Sequence, residues 1–132
     1  MNHAKKKIVL RVVSVIALLF GLLTIKSGGS VLFGPESAKL AAGNVVDFVL
    51  WFNFLAGFLY MIAGIGLWME KVWAVWLAGI IALMTALVFL ALGVHISGGG
   101  LYENRTVAAM TLRLTLWTFV FFFTRKKLAG WA

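Results

Sequence analysis

Two long apolar runs, joined by nothing more than the charged pair Glu70-Lys71, fill Val46 to His95 and limit what this chain can become. At ~1.5 Å rise per residue, about 22 residues of helix cross a hydrocarbon core of ~30 Å. A turn this short obliges the two helices to lie antiparallel and in contact. One further apolar segment precedes this hairpin and another follows it. Four spans are therefore expected, at residues 8–25, 47–69, 72–94 and 106–124, joined on one side by loops 26–46 and 95–105. The fold class read from this pattern is all-α, an integral membrane four-helix antiparallel bundle forming one domain.

Composition agrees. Hydrophobic residues make up 63% of the 132-residue chain and charged residues 12%, about half the charged share of an ordinary soluble domain. Little chain is left over for an aqueous domain. The absence of cysteine excludes disulfides, thiolate metal sites and CxxC redox chemistry within the chain. The first span follows basic residues, as in a signal peptide. Its apolar run is long for that role and no small-x-small cleavage site follows, so an uncleaved helix is expected.

The net charge of +8 is placed for topology rather than for nucleic acid. Lys5, Lys6, Lys7, Arg11, Lys71, Arg125, Lys126 and Lys127 gather at the two termini and the tight turn, while Lys26, Lys39 and Arg105 lie in the opposite connections. The positive-inside rule then puts both termini in the cytoplasm and the glycine-rich connections outside. A bacterial inner (plasma) membrane is the expected location. Trp68, Trp73 and Trp76 sit at the turn, where indole rings favour the headgroup level.

Within the first connection, Ser27-Gly28-Gly29-Ser30 reads as a flexible break, and Pro35 to Ala42 as a short helix at the membrane surface, stopped by Gly43. Helix association in lipid depends on close packing and polar pairing. The second span offers Asn53, Gly57, Tyr60 and Gly64 on one stripe; the third offers Ala74, Ala78, Ala82 and Thr85. These stripes are expected to face one another across the hairpin.

Polar residues are segregated. The inner half has almost no ionisable side chain between its anchors, whereas the outer half holds Asp47, Asn53, His95, Tyr102, Glu103, Arg105 and Arg113. An ionisable group inside a span needs a partner or a water-filled site. Arg113 lies about 10 Å into the fourth span at ~1.5 Å per residue. By extending upward it would reach Asp47 and Asn53. Three readings are open. Asp47 neutralises Arg113 as a structural pair, the others being rim charges. Alternatively, Arg113 and Arg105 bind an anion or the polar head of a lipid or quinone, with His95 and Tyr102 as hydrogen-bond partners. In the third, His95 and Glu103 carry proton or metal chemistry, although one histidine and one carboxylate fall short of a zinc ligand set. No phosphate loop, nucleophile elbow, zinc-protease or dinucleotide motif is present, and no histidine pair is placed for haem.

Several short motifs coincide with a known layout. Leu10-Arg11 and Leu19-Phe20-Gly21 mark the first span and Phe33-Gly34-Pro35 the loop after it. Ala63 to Trp68 (AGIGLW) end the second span, and Val94-His95, Gly98-Gly99 and Tyr102-Glu103 follow the third. In these the chain resembles the DoxX-like four-helix membrane proteins, some of which are subunits of thiosulfate:quinone oxidoreductases. The resemblance implies the same fold. The chain departs from it in having Asp47 and Asn53 where those proteins usually carry a glutamate, and in Arg113, which has no obvious counterpart.

The function expected is that of an accessory or assembly subunit of a larger membrane complex, redox- or quinone-linked, with lipid or quinone as the bound small molecule. The alternative is a homo-oligomeric carrier or channel for a small anion or amphiphile, using an outward pocket around Arg113. No activity as an enzyme on its own, no catalytic or metal-ligating residue and no nucleic-acid partner is expected; the bilayer, other membrane subunits or further copies of the chain are the expected partners. Because the chain lacks cysteine, single substitutions report topology directly. Ser37→Cys is expected to react with a membrane-impermeant maleimide in intact cells, and Lys126→Cys only after permeabilisation.

Overall fold

The computed structural model describes residues 3–129. The order of elements is α1 (His3–Phe33), α2 (Glu36–Ala42), α3 (Asp47–Trp68), α4 (Val72–Ser97) and α5 (Asn104–Thr124), the last running into a π-helical turn over Arg125–Ala129. No strand occurs among the described residues. Four of the helices, α1, α3, α4 and α5, are long and apolar enough to cross a membrane, the mark of an integral membrane protein.

Side chains are sorted by size and polarity in the way lipid demands. On α1, Ile8, Val12, Ile16, Leu19 and Leu23 are exposed. Leu10, Ser14, Ala17, Gly21, Thr24 and Gly28 are buried and recur every four or three residues. Lipid does not drive leucine inward, so beyond Leu10 the inner stripe is instead small or polar, where backbones approach closely.

The main helix pairings are α1 with α3, α3 with α4 and α4 with α5. The first is the closest. Ser14 Oγ donates to the Gly64 carbonyl at 2.5 Å. A Cβ on Gly21 would lie 2.8 Å from the Gly57 carbonyl oxygen, and one on Gly28 3.1 Å from Phe54 Cβ. Contacts that climb α1 thus descend α3, so these two helices run antiparallel. The turn into α4 is closed by Lys71 N–H donating to the Gly66 carbonyl at 2.8 Å, with Glu70 at φ 57°. A Cβ on Gly66 would meet Ala74 Cβ at 2.7 Å, so α4 leaves the turn in contact with α3. At the far side, Gly79 of α4 receives the Phe121 ring of α5. A common core forms where these surfaces meet, built on Ala56, Tyr60, Ala63, Leu67, Ala78, Ile81 and Trp117.

Two sequence expectations come out differently. Helix α1 does not stop at Ile25 but passes through Ser27-Gly28-Gly29-Ser30 to Phe33. Gly28 is buried against Phe54, and Ser30 Oγ bonds the Lys26 carbonyl one turn back at 2.8 Å, so packing and local bonding hold these weak formers helical. The glycines of α3 also face another partner. Gly57 lies against Ile25 and Gly21, and Gly64 against Leu18 and Ser14, so this stripe packs on α1 rather than across the hairpin. Ala74, Ala78 and Thr85 do face inward on α4, Thr85 bonding its own Ile81 carbonyl at 2.7 Å. The short helix α2 forms with Pro35 just before it and Gly43 at φ 75° just after.

Replacing Gly21 by Val is expected to destabilise the protein by about 1–3 kcal/mol, because its neighbour is backbone and cannot rotate away. Gly93→Ala, with nothing within 4 Å of its Cβ, is expected to be neutral or to stabilise by up to about 1 kcal/mol through helix propensity. Unfolding in mixed micelles measures both.

Candidate functional site

Helix α1 is held by α3 and helix α5 by α4, and a gap remains between α1, α3 and α5. It is a cavity of about 290 Å³ lined by Thr24 and Gly28 of α1, Val49 and Asn53 of α3, and Ala109 and Arg113 of α5, with Ala42, Glu103 and Arg105 at one end. Its walls between these polar ends are mostly apolar, including Val31, Val45, Val46 and Leu50.

Arg113 stands at the deep end. It is the tenth of the 21 residues of α5, close to half-way along the helix. Its Nη1 donates to Thr24 Oγ1 at 2.9 Å and to the Tyr60 hydroxyl at 3.3 Å. The guanidinium carbon lies 5.0 Å from the centre of the Phe20 ring and 5.9 Å from that of Tyr60. Beneath it, Phe20 stacks on Tyr60 at 5.6 Å and Tyr60 on Trp117 at 4.9 Å. These three rings close the bundle below the cavity. Arg113 is thus anchored by two neutral hydroxyls and aromatic faces, a cation–π setting that suits a partly desolvated guanidinium.

Hydrogen bonding at this end is incomplete. Arg113 Nε and Asn53 Oδ1 are both buried without a partner in the protein. Buried polar groups of this kind cost about 1–3 kcal/mol when left unmade. A site that retains them has a use for them or contains water.

The mouth is built differently. Arg105 Nη2 donates to the Ala41 and Ala42 carbonyls, both at 3.2 Å, at the C-terminal end of α2. Glu103 accepts the Asn44 backbone N–H at 3.1 Å and lies 3.8 Å from Arg105. Cation on helix carbonyls and carboxylate on the following N–H together tie α2 over the start of α5. A Cβ on Gly43 would meet the Glu103 carboxyl at 3.0 Å, so this approach needs glycine for space as well as for its φ of 75°.

Of the residues singled out from sequence, Asn53, Glu103, Arg105 and Arg113 line this one cavity. Asp47 does not join Arg113: it is exposed in the first turn of α3, and Arg113 reaches for Thr24 and Tyr60 instead of upward. Arg105 spends its donors on α2 rather than standing free beside Arg113. His95 is placed elsewhere, its Nε2 2.9 Å from the Leu101 carbonyl and its ring edge-on to Phe48 at 6.1 Å. It holds the glycine loop 98–101 to the end of α4. Tyr102 is exposed. Among the described residues no group of three His, Cys, Asp or Glu is placed to hold a metal ion. Thr24 and Phe20 went unnoticed in the sequence as site residues. A polar residue on the small, buried stripe of α1 is the signal that would have found Thr24.

Comparison of the chain with family models, with curated proteins and with solved structures finds no match. Arg105→Ala is expected to loosen the α2 tie by about 0.5–1 kcal/mol, the range for exposed charged contacts. Amide exchange over residues 36–46 should quicken about two- to fivefold, with α3 and α4 unchanged.

Proposed function

We propose that this protein is a four-helix antiparallel membrane bundle, both termini cytoplasmic, that takes up a small anion or amphiphile into the cavity above Arg113. The observation that carries this reading is a guanidinium half-way down a membrane-spanning helix, bound among the described residues only to neutral hydroxyls and rings, in a cavity that leads to the α2 end. A charge at that depth is costly and belongs with a counter-charge or water. Among the described residues no carboxylate pairs with it, and in this reading an anion from outside supplies the counter-charge. In this topology the α2 end faces the cell exterior or periplasm, and the Phe20–Tyr60–Trp117 stack separates the cavity from the cytoplasmic half. Release on the far side would require that stack to part, and four helices enclose little space, so a carrier of this kind would work as a homo-oligomer.

A second reading has its own support. Helix α4 presents Ile80, Leu83, Leu87, Leu90 and Val94 outward along much of its length, with Trp73 and Trp76 at the turn. Such a face fits lipid and a neighbouring helix equally. An accessory or assembly subunit of a larger membrane complex, redox- or quinone-linked as the DoxX-like resemblance implies, would use it for docking, with lipid or quinone in the cavity.

Two experiments separate these readings. Liposomes containing only this protein are expected to show saturable anion flux that Arg113→Ala reduces at least tenfold. Co-purification of a second polypeptide in mild detergent, with no flux from the isolated protein, would favour the subunit reading instead.

A further inference from the structure

Charge is divided unequally between the two ends of the bundle. The end that carries both termini and the α3–α4 turn holds eight Lys and Arg side chains and one carboxylate side chain, Glu70. At the α2 end, Lys26, Lys39 and Arg105 are balanced by Glu36, Asp47 and Glu103. Among the described residues the salt bridge that forms is Glu103 with Arg105, at the α2 end, and Glu70 pairs with none of the cations around it. One end is thus neutral and the other strongly cationic.

Where these cations stand decides what they can meet. Lys7 immediately precedes the apolar run of α1, Lys71 immediately precedes α4, and Arg125 immediately follows α5. No length of chain lifts these charges away from the hydrocarbon boundary. Arg11 lies one turn further into α1, its guanidinium carbon 4.6 Å from the centre of the Trp68 ring at the end of α3. After α5 the chain turns through Arg125–Ala129, and Leu128 packs on the common core. This holds Lys126 and Lys127 on the end of the bundle, with Lys127 Nζ 5.2 Å from the centre of the Phe123 ring. Trp68, Trp73 and Trp76 are exposed among these cations, as indole rings are at the headgroup level. Cations tethered this closely, with stems along aromatic faces, lie at the level of lipid phosphates.

We infer that the end of the bundle holding both termini is a binding surface for anionic phospholipid. The phosphate groups pair with Lys6, Lys7, Arg11, Lys71, Lys126 and Lys127, none of which is buried, and the acyl chains lie along the adjoining helices. The neutral α2 end has no such preference. The surface is separate from the cavity and does not depend on a ligand there.

Quenching of tryptophan by brominated lipid tests this on the full chain. Trp51→Phe removes the exposed indole near the α2 end, so that the exposed indoles among the described residues are Trp68, Trp73 and Trp76. The protein is reconstituted in mixtures of phosphatidylcholine and phosphatidylglycerol, with bromine on the acyl chains of one lipid at a time. Phosphatidylglycerol is expected to be preferred about fivefold or more, the contribution of a single near-surface cation. About 0.5 M sodium chloride, with a screening length of ~4 Å, should reduce the preference to about twofold or less. Lys71→Gln combined with Lys126→Gln and Lys127→Gln should at least halve it, whereas Lys26→Gln with Lys39→Gln should leave it unchanged. Circular dichroism and elution volume check that each variant is folded; if the triple variant is not, the salt dependence decides. A preference that salt and the triple variant both leave unaltered, or that the Lys26 and Lys39 changes reduce as much, would overturn the assignment. Equal quenching by the two lipids would overturn it too. Binding of polyglutamate to the protein in phosphatidylcholine nanodiscs would in that case make the basic end a docking surface for an acidic polypeptide.

Discussion

The close approach of α1 and α3 is the constraint on which the rest of this structure depends. In lipid, apolar surface gains nothing by leaving its surroundings, so helices are held where backbones come close enough for dispersion and hydrogen bonding. Gly21, Gly57 and Gly64, with Ser14 bonded to the Gly64 carbonyl, allow that approach. A second pairing, α4 with α5, is made at the other side by the Phe121 ring on Gly79. The α3–α4 turn joins the two. Because each outer helix commits its small residues or ring contacts to a different partner, the space between α1 and α5 is not closed by helix packing. It is the cavity.

Arg113 crosses that space. Its Nη1 reaches Thr24 on one side and Tyr60 on another, so a single side chain of α5 links α1 and α3 where their backbones stand apart from its own. The cost of a charge at this depth is reduced by two hydroxyls and by the faces of Phe20 and Tyr60. These groups are neutral, however, and no carboxylate among the described residues pairs with the charge. The same side chain therefore links α1 and α3 to α5 and gives the cavity a cationic floor. At the opposite end Glu103 and Arg105 satisfy one another and the end of α2, which sets a tied, electrically balanced mouth above a cationic floor.

The polar residues of the half toward α2 looked alike in the sequence, and position along a helix did not separate them. Asp47 and Asn53 share α3 and stand six residues apart, a difference that turns them to unlike faces: Asp47 is exposed, whereas Asn53 lines the cavity. Arg113 was legible as an anomaly, but the direction of its side chain was not. A guanidinium has reach enough to extend toward either end of its helix, and the choice was made by hydroxyls on two other helices. His95 and Tyr102 drew notice by type alone; the glycine loop 98–101 curls onto His95 and takes it out of the cavity.

What the sequence by itself determined is the class of structure and its element order. Runs of apolar residues long enough to cross a hydrocarbon core, separated by glycine, proline and charge, leave the backbone no solution but helices, because lipid offers no partner for an open peptide group. What only the tertiary structure decided is who faces whom. The glycines of α3 had two possible partners, and α1 took them. The Ser27–Ser30 stretch, a break by local propensity, became helix once Gly28 had Phe54 to pack on. Both outcomes rest on contacts between residues far apart in the chain, and local composition carries no record of such contacts. The cavity and the guanidinium of Arg113 at its end are consequences of the same pairing, and became visible only when it was in place.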